Sequence, residues 1–299
     1  MENVTINPKN YEKQYIINLN KCFNNWGSQA NYDWVFNRQV GDKTSDIILI
    51  KDEDNEVIAG SGITYRKMKN IDFGIMTGSW TLPNARGKGC FSKIIEISQE
   101  ICFNKNVPFL TAFVMEDNAS YKRLENAGSY LIPTSHFISN NSKTTVIKSK
   151  NIRVVDWNNE LIETIYKKVK YQQNQGMCFS YNLEEFSNQY FFRVTAPKVL
   201  SIDNEFAIIE ETDKIVKLLL LTRSNTDIDF SNNIETISNW SFIVKKKKLL
   251  IFSSINDITE VINNLDFKTL PSYFTVLSTD KRSSPDIFNN LDINLGDKM

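Results

Sequence analysis

The sequence predicts a mixed α/β fold in which helices cover both faces of a sheet, and it predicts that this fold occurs twice. Segments with apolar residues at helical spacing alternate with short apolar segments typical of strands. The chain has 299 residues, which is enough for two domains. Nine of its 11 glycines lie before residue 130, so a tight ligand-binding loop belongs in the first half. We expect a boundary near residue 150, giving domains 1–150 and 151–299.

The predicted elements of the first half follow the order α-α-β-β-β-α-β-α-β-β. Helices are expected, from apolar residues at helical spacing, over residues 11–26, 31–40, 92–105 and 118–128. Strands are expected, from apolar and β-branched runs bounded by turn residues, over residues 46–51, 56–67, 72–83, 107–115, 130–139 and 143–150. Pro83 stops the third strand, and Gly128 closes the last helix. The result is one mixed sheet with helices packed on it.

Composition excludes several classes of protein. The formal net charge is zero, which argues against a general nucleic-acid binder. No apolar segment reaches the length of a membrane span, and the N-terminal residues lack the apolar region of a signal peptide. The four cysteines are scattered and include no C-x-x-C pair, so we expect reduced thiols in a cytoplasmic protein and no metal site.

One segment, Thr-Leu-Pro-Asn-Ala-Arg-Gly-Lys-Gly at residues 81–89, lies between a predicted strand and a predicted helix. The start of a helix exposes unpaired N–H groups and the positive end of the helix dipole, which together bind phosphate. Glycines allow close approach of the backbone, and Arg86 and Lys88 add positive charge. Neither the Walker pattern nor the dinucleotide fingerprint is present. The alternative is a basic surface turn.

The same segment resembles the pyrophosphate loop of the GCN5-related N-acetyltransferases, (R/Q)-x-x-G-x-(G/A). Arg86 and Gly89 match this pattern, whereas Phe91 stands at the final small position. Residues 118–128 resemble the second signature of the family, from Asn118 to Gly128, although Ser129 replaces the usual aromatic residue. The resemblance covers about the first half of the chain.

The resemblance implies that acetyl-CoA donates an acetyl group to a primary amine of a small acceptor. Backbone N–H groups over the loop would hold the pyrophosphate, with Arg86 and Lys88 as charge partners. The edge of the preceding strand would bind the pantetheine arm, and Asn118 would lie beside that arm. The residues expected to bind the cofactor are therefore Thr81, Leu82, Arg86, Gly87, Lys88, Gly89, Cys90, Phe91 and Asn118.

The expected proton-transfer residues depart from the family pattern. In the family a tyrosine on this helix commonly serves as the general acid. The corresponding position in this chain holds Leu124 or Glu125, depending on the end from which the helix is aligned. Tyr121, one turn earlier, is a substitute acid. The residues that we consider as a base, or as groups that order a water molecule, are Glu116, Asp117, Ser79 and Thr77. We therefore take Tyr121, Glu116 and Ser79 as the catalytic candidates, and we treat His136, the only histidine, as structural.

The second half contains a faint repeat of the first. Residues 32–40 resemble residues 188–197, with Arg38 aligned to Arg193, and apolar strands follow at 46–51 and 206–211. No glycine loop precedes the helix predicted over residues 233–248, so we expect no second CoA site. We interpret this half as a degenerate acetyltransferase-like domain; a different α+β domain is the alternative.

Two functions follow from these patterns. The first is an N-acetyltransferase acting on a small amine such as an amino sugar or an amino acid derivative. The second is a non-catalytic acyl-CoA-binding protein that senses or scaffolds, which the missing tyrosine favours. A tandem aminoacyl-transferring enzyme is a lesser alternative, because such proteins usually lack the R-G-x-G loop. The sequence leaves the acceptor open, and it leaves monomer or dimer open as well.

Overall fold

A computed structural model describes residues 3–23, 26–38, 40–140, 151–173, 177–223, 227–254, 262, 265–280, 288 and 291–298. The chain forms two compact units. The first runs to Ile132 and takes in a further stretch that begins at Phe274, and the second comprises Pro133–Tyr273 and Phe288–Lys298. The division thus differs from the boundary expected near residue 150, because part of one strand from each half of the chain belongs to the other unit. The strand predicted over 143–150 lies outside the described residues.

Twelve strands are numbered in chain order. They are β1 (Asn3–Ile6), β2 (Asp46–Lys51), β3 (Val57–Met68), β4 (Ile71–Thr81), β5 (Phe109–Met115), β6 (Tyr130–Ser139), β7 (Ile152–Val155), β8 (Lys198–Ile202), β9 (Glu205–Glu211), β10 (Ile215–Leu221), β11 (Lys248–Ser253) and β12 (Phe267–Ser278). The α-helices among the described residues are α1 (Glu12–Phe23), α2 (Gln29–Tyr32), α3 (Cys90–Asn104), α4 (Ala119–Asn126), α5 (Asn159–Gln173), α6 (Leu183–Tyr190) and α7 (Asp227–Lys245). The mixed α/β class expected from the sequence is confirmed.

The sheet of the first unit has the order β1-β2-β3-β4-β5. Neighbouring strands are antiparallel up to β4, and β4 and β5 are parallel. The last part of β12 lies beside β5, where Thr279 donates its N–H to the Pro108 carbonyl (2.9 Å) and the Thr275 hydroxyl donates to the Ala112 carbonyl (3.3 Å). The partner of Thr279 is residue 108 and the partner of Thr275 is residue 112, so the residue numbers of the two strands run in opposite directions. The end of β12 is therefore antiparallel to β5.

Local sequence accounts for the elements that position the loop. The strand β2 is a continuous apolar run, and Ile48, Leu49 and Ile50 are fully buried, as expected for a strand covered on both faces. The helix α3 approaches β4 closely at Gly74, where an added Cβ would lie 2.7 Å from the Cys102 sulfur. A larger residue there would push the helix away from the sheet.

The helix α4 ends as the sequence predicts. Gly128 has φ +87°, its N–H donates to the Glu125 carbonyl (2.9 Å), and the Ser129 N–H donates to the Leu124 carbonyl (3.1 Å). This pair of bonds is the Schellman motif, in which glycine adopts the left-handed conformation without a steric penalty. The prediction that Gly128 closes this helix is confirmed.

The second unit repeats the order of the first. Its sheet is β6-β11-β10-β9-β8-β7, with β10 and β11 parallel and the other described pairs antiparallel. Within each unit a short strand and two helices are followed by three antiparallel strands, a helix and a parallel strand. Arg38 and Arg193 both donate to the carbonyl of the residue four positions earlier. The predicted tandem repeat is therefore present.

The structure corrects three details of the sequence analysis. The counterpart of β2 is β8, not the strand at 206–211, because β8 follows the two helices of its unit as β2 does. The second predicted helix is the short α2 followed by a π-helical turn, Asp33–Asn37. The strands β1 and β7 were not predicted, since each has only four residues, too few to show an apolar period.

Candidate functional site

The loop between β4 and α3 has a backbone that only glycine adopts easily. A short helical turn, Pro83–Ala85, follows β4, and Gly87 and Gly89 have φ +82° and +87°. Gly89 immediately precedes Cys90, the first residue of α3, and has no side chain to cap the helix. A Cβ added at Gly87 or Gly89 would meet no atom within 4 Å, so the space beside the loop backbone is open.

Several N–H groups of this loop have no acceptor in the described part of the chain. They belong to Gly87, Gly89 and Phe91. The N–H groups of Arg86 and Lys88 instead reach the carbonyls of the preceding turn, both at 3.4 Å, which is long for a hydrogen bond. We expected the backbone N–H groups of the whole loop to bind phosphate. The groups that remain unpaired among the described residues are the three of Gly87, Gly89 and Phe91, which lie at the positive end of the α3 dipole.

The side chains of the loop divide into exposed and buried. Arg86 and Lys88 are exposed, and the Arg86 guanidinium interacts with the thiol of Cys22 near the end of α1. Cys90 is only 2% exposed, and its sulfur faces the Ala85 carbonyl at 3.9 Å. Its side chain therefore packs inside the loop.

The strands β4 and β5 part beside this loop. Their parallel pairing is restricted to Phe73↔Phe109, Gly74↔Leu110 and Ile75↔Thr111, although β4 continues to Thr81 and β5 to Met115. Ligands of open α/β sheets bind at such carboxyl ends of parallel strands. The loop and the gap between the strands therefore form one candidate site.

A β-bulge in β4 lies at this gap. The register passes from Gly60↔Trp80 to Gly62↔Thr77, and Gly78 has φ +58°. The Gly78 carbonyl, displaced by the bulge, accepts a hydrogen bond from the Tyr15 hydroxyl (2.7 Å). Sequence reasoning missed the bulge, although an isolated glycine inside a strand pattern is its usual signal.

The two strand residues expected to bind the pantetheine arm, Thr81 and Leu82, differ in whether their backbone groups are already bonded to the neighbouring strand. The Leu82 N–H is already bound to the Ile58 carbonyl (2.9 Å), so it is not a free edge group. Because successive residues of a strand point to opposite edges, Thr81 directs its N–H and carbonyl away from β3. The Thr81 carbonyl accepts the Cys22 thiol at 3.4 Å. Asn118 is exposed, and its side chain makes no capping bond to α4.

The catalytic candidates lie on three different elements. Ser79 is in the bulge, and its hydroxyl is 2.7 Å from that of Ser61. Glu116 is exposed on the turn that follows β5. Tyr121 is on the first turn of α4, half-buried, with its hydroxyl 3.4 Å from the Glu125 carboxylate. The parting ends of β4 and β5 bring Ser79 and Glu116 to the same edge of the sheet.

The residues at the place of the family's tyrosine, and the histidine, have other roles. Leu124 is 2% exposed and belongs to the core, and Glu125 is exposed. His136 belongs to the second unit, where its Nδ1 lies 3.1 Å from the Ser272 hydroxyl and its Nε2 lies 2.7 Å from the Lys298 amine. Burial and the neighbouring lysine lower the pKa of His136 to about 3, so it is neutral at physiological pH.

Other kinds of site are not seen in the described residues. They contain no group of three or more His, Cys, Asp or Glu side chains placed to hold a metal ion. None of their helices is both long and apolar enough to cross a membrane. All four cysteines are free thiols.

Comparison with known proteins gives matches at the level of structure. No protein-family model matches the sequence, and no curated protein matches it either. A conserved protein from Enterococcus faecalis, described as a probable N-acyltransferase, superposes with a TM-score of 0.65 at 12% identity, over 94% of this chain and 73% of that one. A putative acetyltransferase from Pyrococcus horikoshii superposes with a TM-score of 0.61 at 13% identity, over 100% of this chain and 96% of that one.

A third similar structure is a tandem GCN5-related N-acetyltransferase protein from the clavulanic acid biosynthesis pathway. It superposes with a TM-score of 0.64 at 7% identity, over 95% of this chain and 100% of that one. Identities this low show similarity of fold, and the similarity extends over both units. The chain therefore has the tandem fold of the GCN5-related N-acetyltransferases.

Proposed function

We propose that the first unit binds acetyl-CoA and transfers its acetyl group to a primary amine of a small acceptor. The observation that carries this proposal is the loop at residues 86–91. Two left-handed glycines there leave three N–H groups unpaired, among the described residues, at the start of α3. Such a group of donors at a helix N-terminus suits phosphate oxygens.

The surrounding residues fit the rest of the cofactor. Arg86 and Lys88 are exposed and add positive charge beside the loop. The outward backbone of Thr81 and the exposed amide of Asn118 suit the amide groups of the pantetheine arm. When bound, acetyl-CoA supplies an electrophilic thioester carbonyl and a thiol leaving group with a pKa near that of cysteine, roughly 8.5.

The chain must remove a proton from the attacking amine, whose pKa lies near 10 like that of lysine. Glu116, an exposed carboxylate at the end of β5, and Ser79, whose hydroxyl is paired with that of Ser61, are the groups that we assign to this task. They act by holding a water molecule that relays the proton. Tyr121 has a minor role in this scheme because its hydroxyl faces Glu125.

A second candidate function is non-catalytic binding of acyl-CoA, with the protein as a sensor or scaffold. The observation that favours it is Leu124, an apolar and buried residue at the place where the resemblance leads one to expect a tyrosine acid. Both candidates require the same loop, and they differ only in whether acetyl groups are transferred.

Two measurements on the full-length chain test these candidates. Calorimetry with acetyl-CoA should give one site per chain, since only the loop of the first unit contains glycines. A thiol-reactive dye should then report CoA release when amino sugars and amino acid derivatives are added, with mass spectrometry of the products. Binding without amine-dependent thiol release would favour the second candidate, and absence of binding would overturn both.

A further inference from the structure

The second unit contains a cleft with the same construction as the gap between β4 and β5. The parallel strands β10 and β11 pair at Ile215↔Lys248, Val216↔Leu249 and Lys217↔Leu250. Beyond these pairs β10 continues to Leu221 and β11 to Ser253, with no further pairing between them in the described residues. The cleft is the space between these two parting ends.

Residues 291–298, the C-terminal segment, fill this cleft. Leu291 and Ile293 are each 2% exposed. The Ser254 hydroxyl, just after β11, donates to the Leu291 carbonyl (2.9 Å) and accepts from the Ile293 N–H (2.8 Å). A cavity of about 30 Å³ remains between the segment and the two strands, which is room for only a few water molecules. No space for a cofactor is left there.

The segment passes very close to the protein at Gly296. The Gly296 carbonyl accepts hydrogen bonds from the Gln189 amide (2.6 Å) and from Arg193 (3.3 Å). An added Cβ would lie 2.3 Å from the Tyr190 ring and 2.9 Å from the Leu219 carbonyl. Any larger residue would displace the segment, so the cleft selects glycine at this position.

Two carboxylates fix the segment at its ends. Asp297 is 3% exposed and accepts hydrogen bonds from Tyr190 (2.7 Å) and Tyr181 (3.1 Å). Asp292 forms an ion pair with Arg223 at 2.7 Å. A buried site built to bind polar groups rejects a ligand that lacks them, because its own groups are then left unpaired.

The contacts of the segment are those of a bound peptide more than those of a sheet strand. Its one bridge to the backbone among the described residues joins Leu291 to Met177, where the Asp292 N–H donates to the Met177 carbonyl (2.8 Å). The other hydrogen bonds to the cleft come from side chains such as Ser254 and Gln189. In peptide recognition of this kind, pockets for particular side chains give the specificity.

We propose that the cleft between β10 and β11 is a peptide-binding site, and that its ligand is the C-terminal segment of this same chain. Leu291, Ile293, Gly296 and Asp297 are the residues recognised. The connection from β10 to α7 contains no glycine, so it does not offer the loop that a pyrophosphate requires. The proposal concerns the second unit and does not depend on acetyl transfer by the first.

The test is performed on the full-length protein with a protease site inserted between Pro285 and Asp286. After folding, the chain is cut, and size-exclusion chromatography should show that the released segment stays bound. A labelled peptide of residues 288–299 in excess should then replace it, measured by fluorescence anisotropy. The same peptide with Gly296→Val should bind at least 100-fold more weakly, and with Asp297→Asn about tenfold more weakly.

Four outcomes would overturn the proposal. The first is loss of the segment on cutting with no binding of the labelled peptide. The second is unfolding of the cut protein by circular dichroism, which would make the segment an integral part of the core. The third is binding of a second CoA by the cut and stripped protein in native mass spectrometry, which would make the cleft a cofactor site. Equal affinity for the Gly296→Val peptide would also contradict it.

Discussion

Replacing Gly89 by valine should abolish CoA binding and leave the protein folded. Gly89 has φ +87° and open space on the side where a Cβ would stand. The backbone strain of a non-glycine residue in this conformation is about 1–2 kcal/mol. For a domain of this size that lowers Tm by roughly 2–8 °C. The free energy of unfolding should therefore fall by about 1–2 kcal/mol, which leaves the protein folded.

The effect on binding should be much larger. A side chain at residue 89 would stand between the unpaired N–H groups and the phosphate oxygens. Each hydrogen bond to a charged group contributes about 1.5–3 kcal/mol, so loss of two such bonds costs about 3–6 kcal/mol. Since 1.4 kcal/mol corresponds to a factor of ten, affinity should fall at least 100-fold.

Gly128→Val is the matched control. Gly128 also has φ +87° and also has no atom within 4 Å of an added Cβ, but it closes α4 and contributes no donor to the loop. Both variants should lose similar Tm in thermal unfolding, and only Gly89→Val should lose affinity in calorimetry with CoA. Equal affinities of the two variants, within a few-fold, would refute the assignment of the loop as the phosphate site.

Three further predictions follow from the geometry. Tyr121→Phe should reduce kcat less than about tenfold, or 1.4 kcal/mol, because its hydroxyl faces Glu125; a thousandfold loss in steady-state kinetics would make Tyr121 the acid. Burial lowers the pKa of Lys298 from 10.5 to about 7, so its contribution to stability is present above pH 10.5 and is lost as pH falls to 7. Tm should thus rise from pH 7 to 10 in the parent and much less in Lys298→Met; parallel curves would contradict this. Gly74→Ala should destabilise by about 1–3 kcal/mol in urea unfolding, since the new Cβ would lie 2.7 Å from the Cys102 sulfur, and a neutral result would show that α3 can shift.

The sequence predicts the first unit well because its signals are local. The apolar periodicity predicts the ends of β2, β3 and α3 to within two residues of their observed positions. Gly128 marks the end of a helix by its own backbone preference. The loop at 86–91 is recognised for the same reason, since strand, glycines and helix are consecutive in the chain. Local patterns were sufficient for these elements, but they did not reveal the four-residue strands β1 and β7 or the bulge at Gly78.

What the sequence could not show depends on contacts between distant residues. The membership of β6 in the second unit and of the end of β12 in the first is decided by pairing across more than 100 residues, such as Leu250 with Ile138. The inward orientation of Cys90 depends on the turn before it, and the use of the Leu82 N–H depends on Ile58. No period or motif along the chain encodes these choices.

The uneven distribution of glycines has a physical reason in both units. In the first, Gly87 and Gly89 keep the loop backbone bare, with open space beside it where a ligand can approach. In the second, Gly296 is the close-packed glycine of the C-terminal segment, and the space beside it is already taken by Tyr190. Glycines in the loop of the first unit leave its backbone open to a ligand. The glycine in the C-terminal segment lets that segment pack into the corresponding cleft of the second unit. The first unit therefore has a loop with open space beside its backbone, whereas the chain itself has filled the cleft of the second unit, which is why we expect a single CoA per chain.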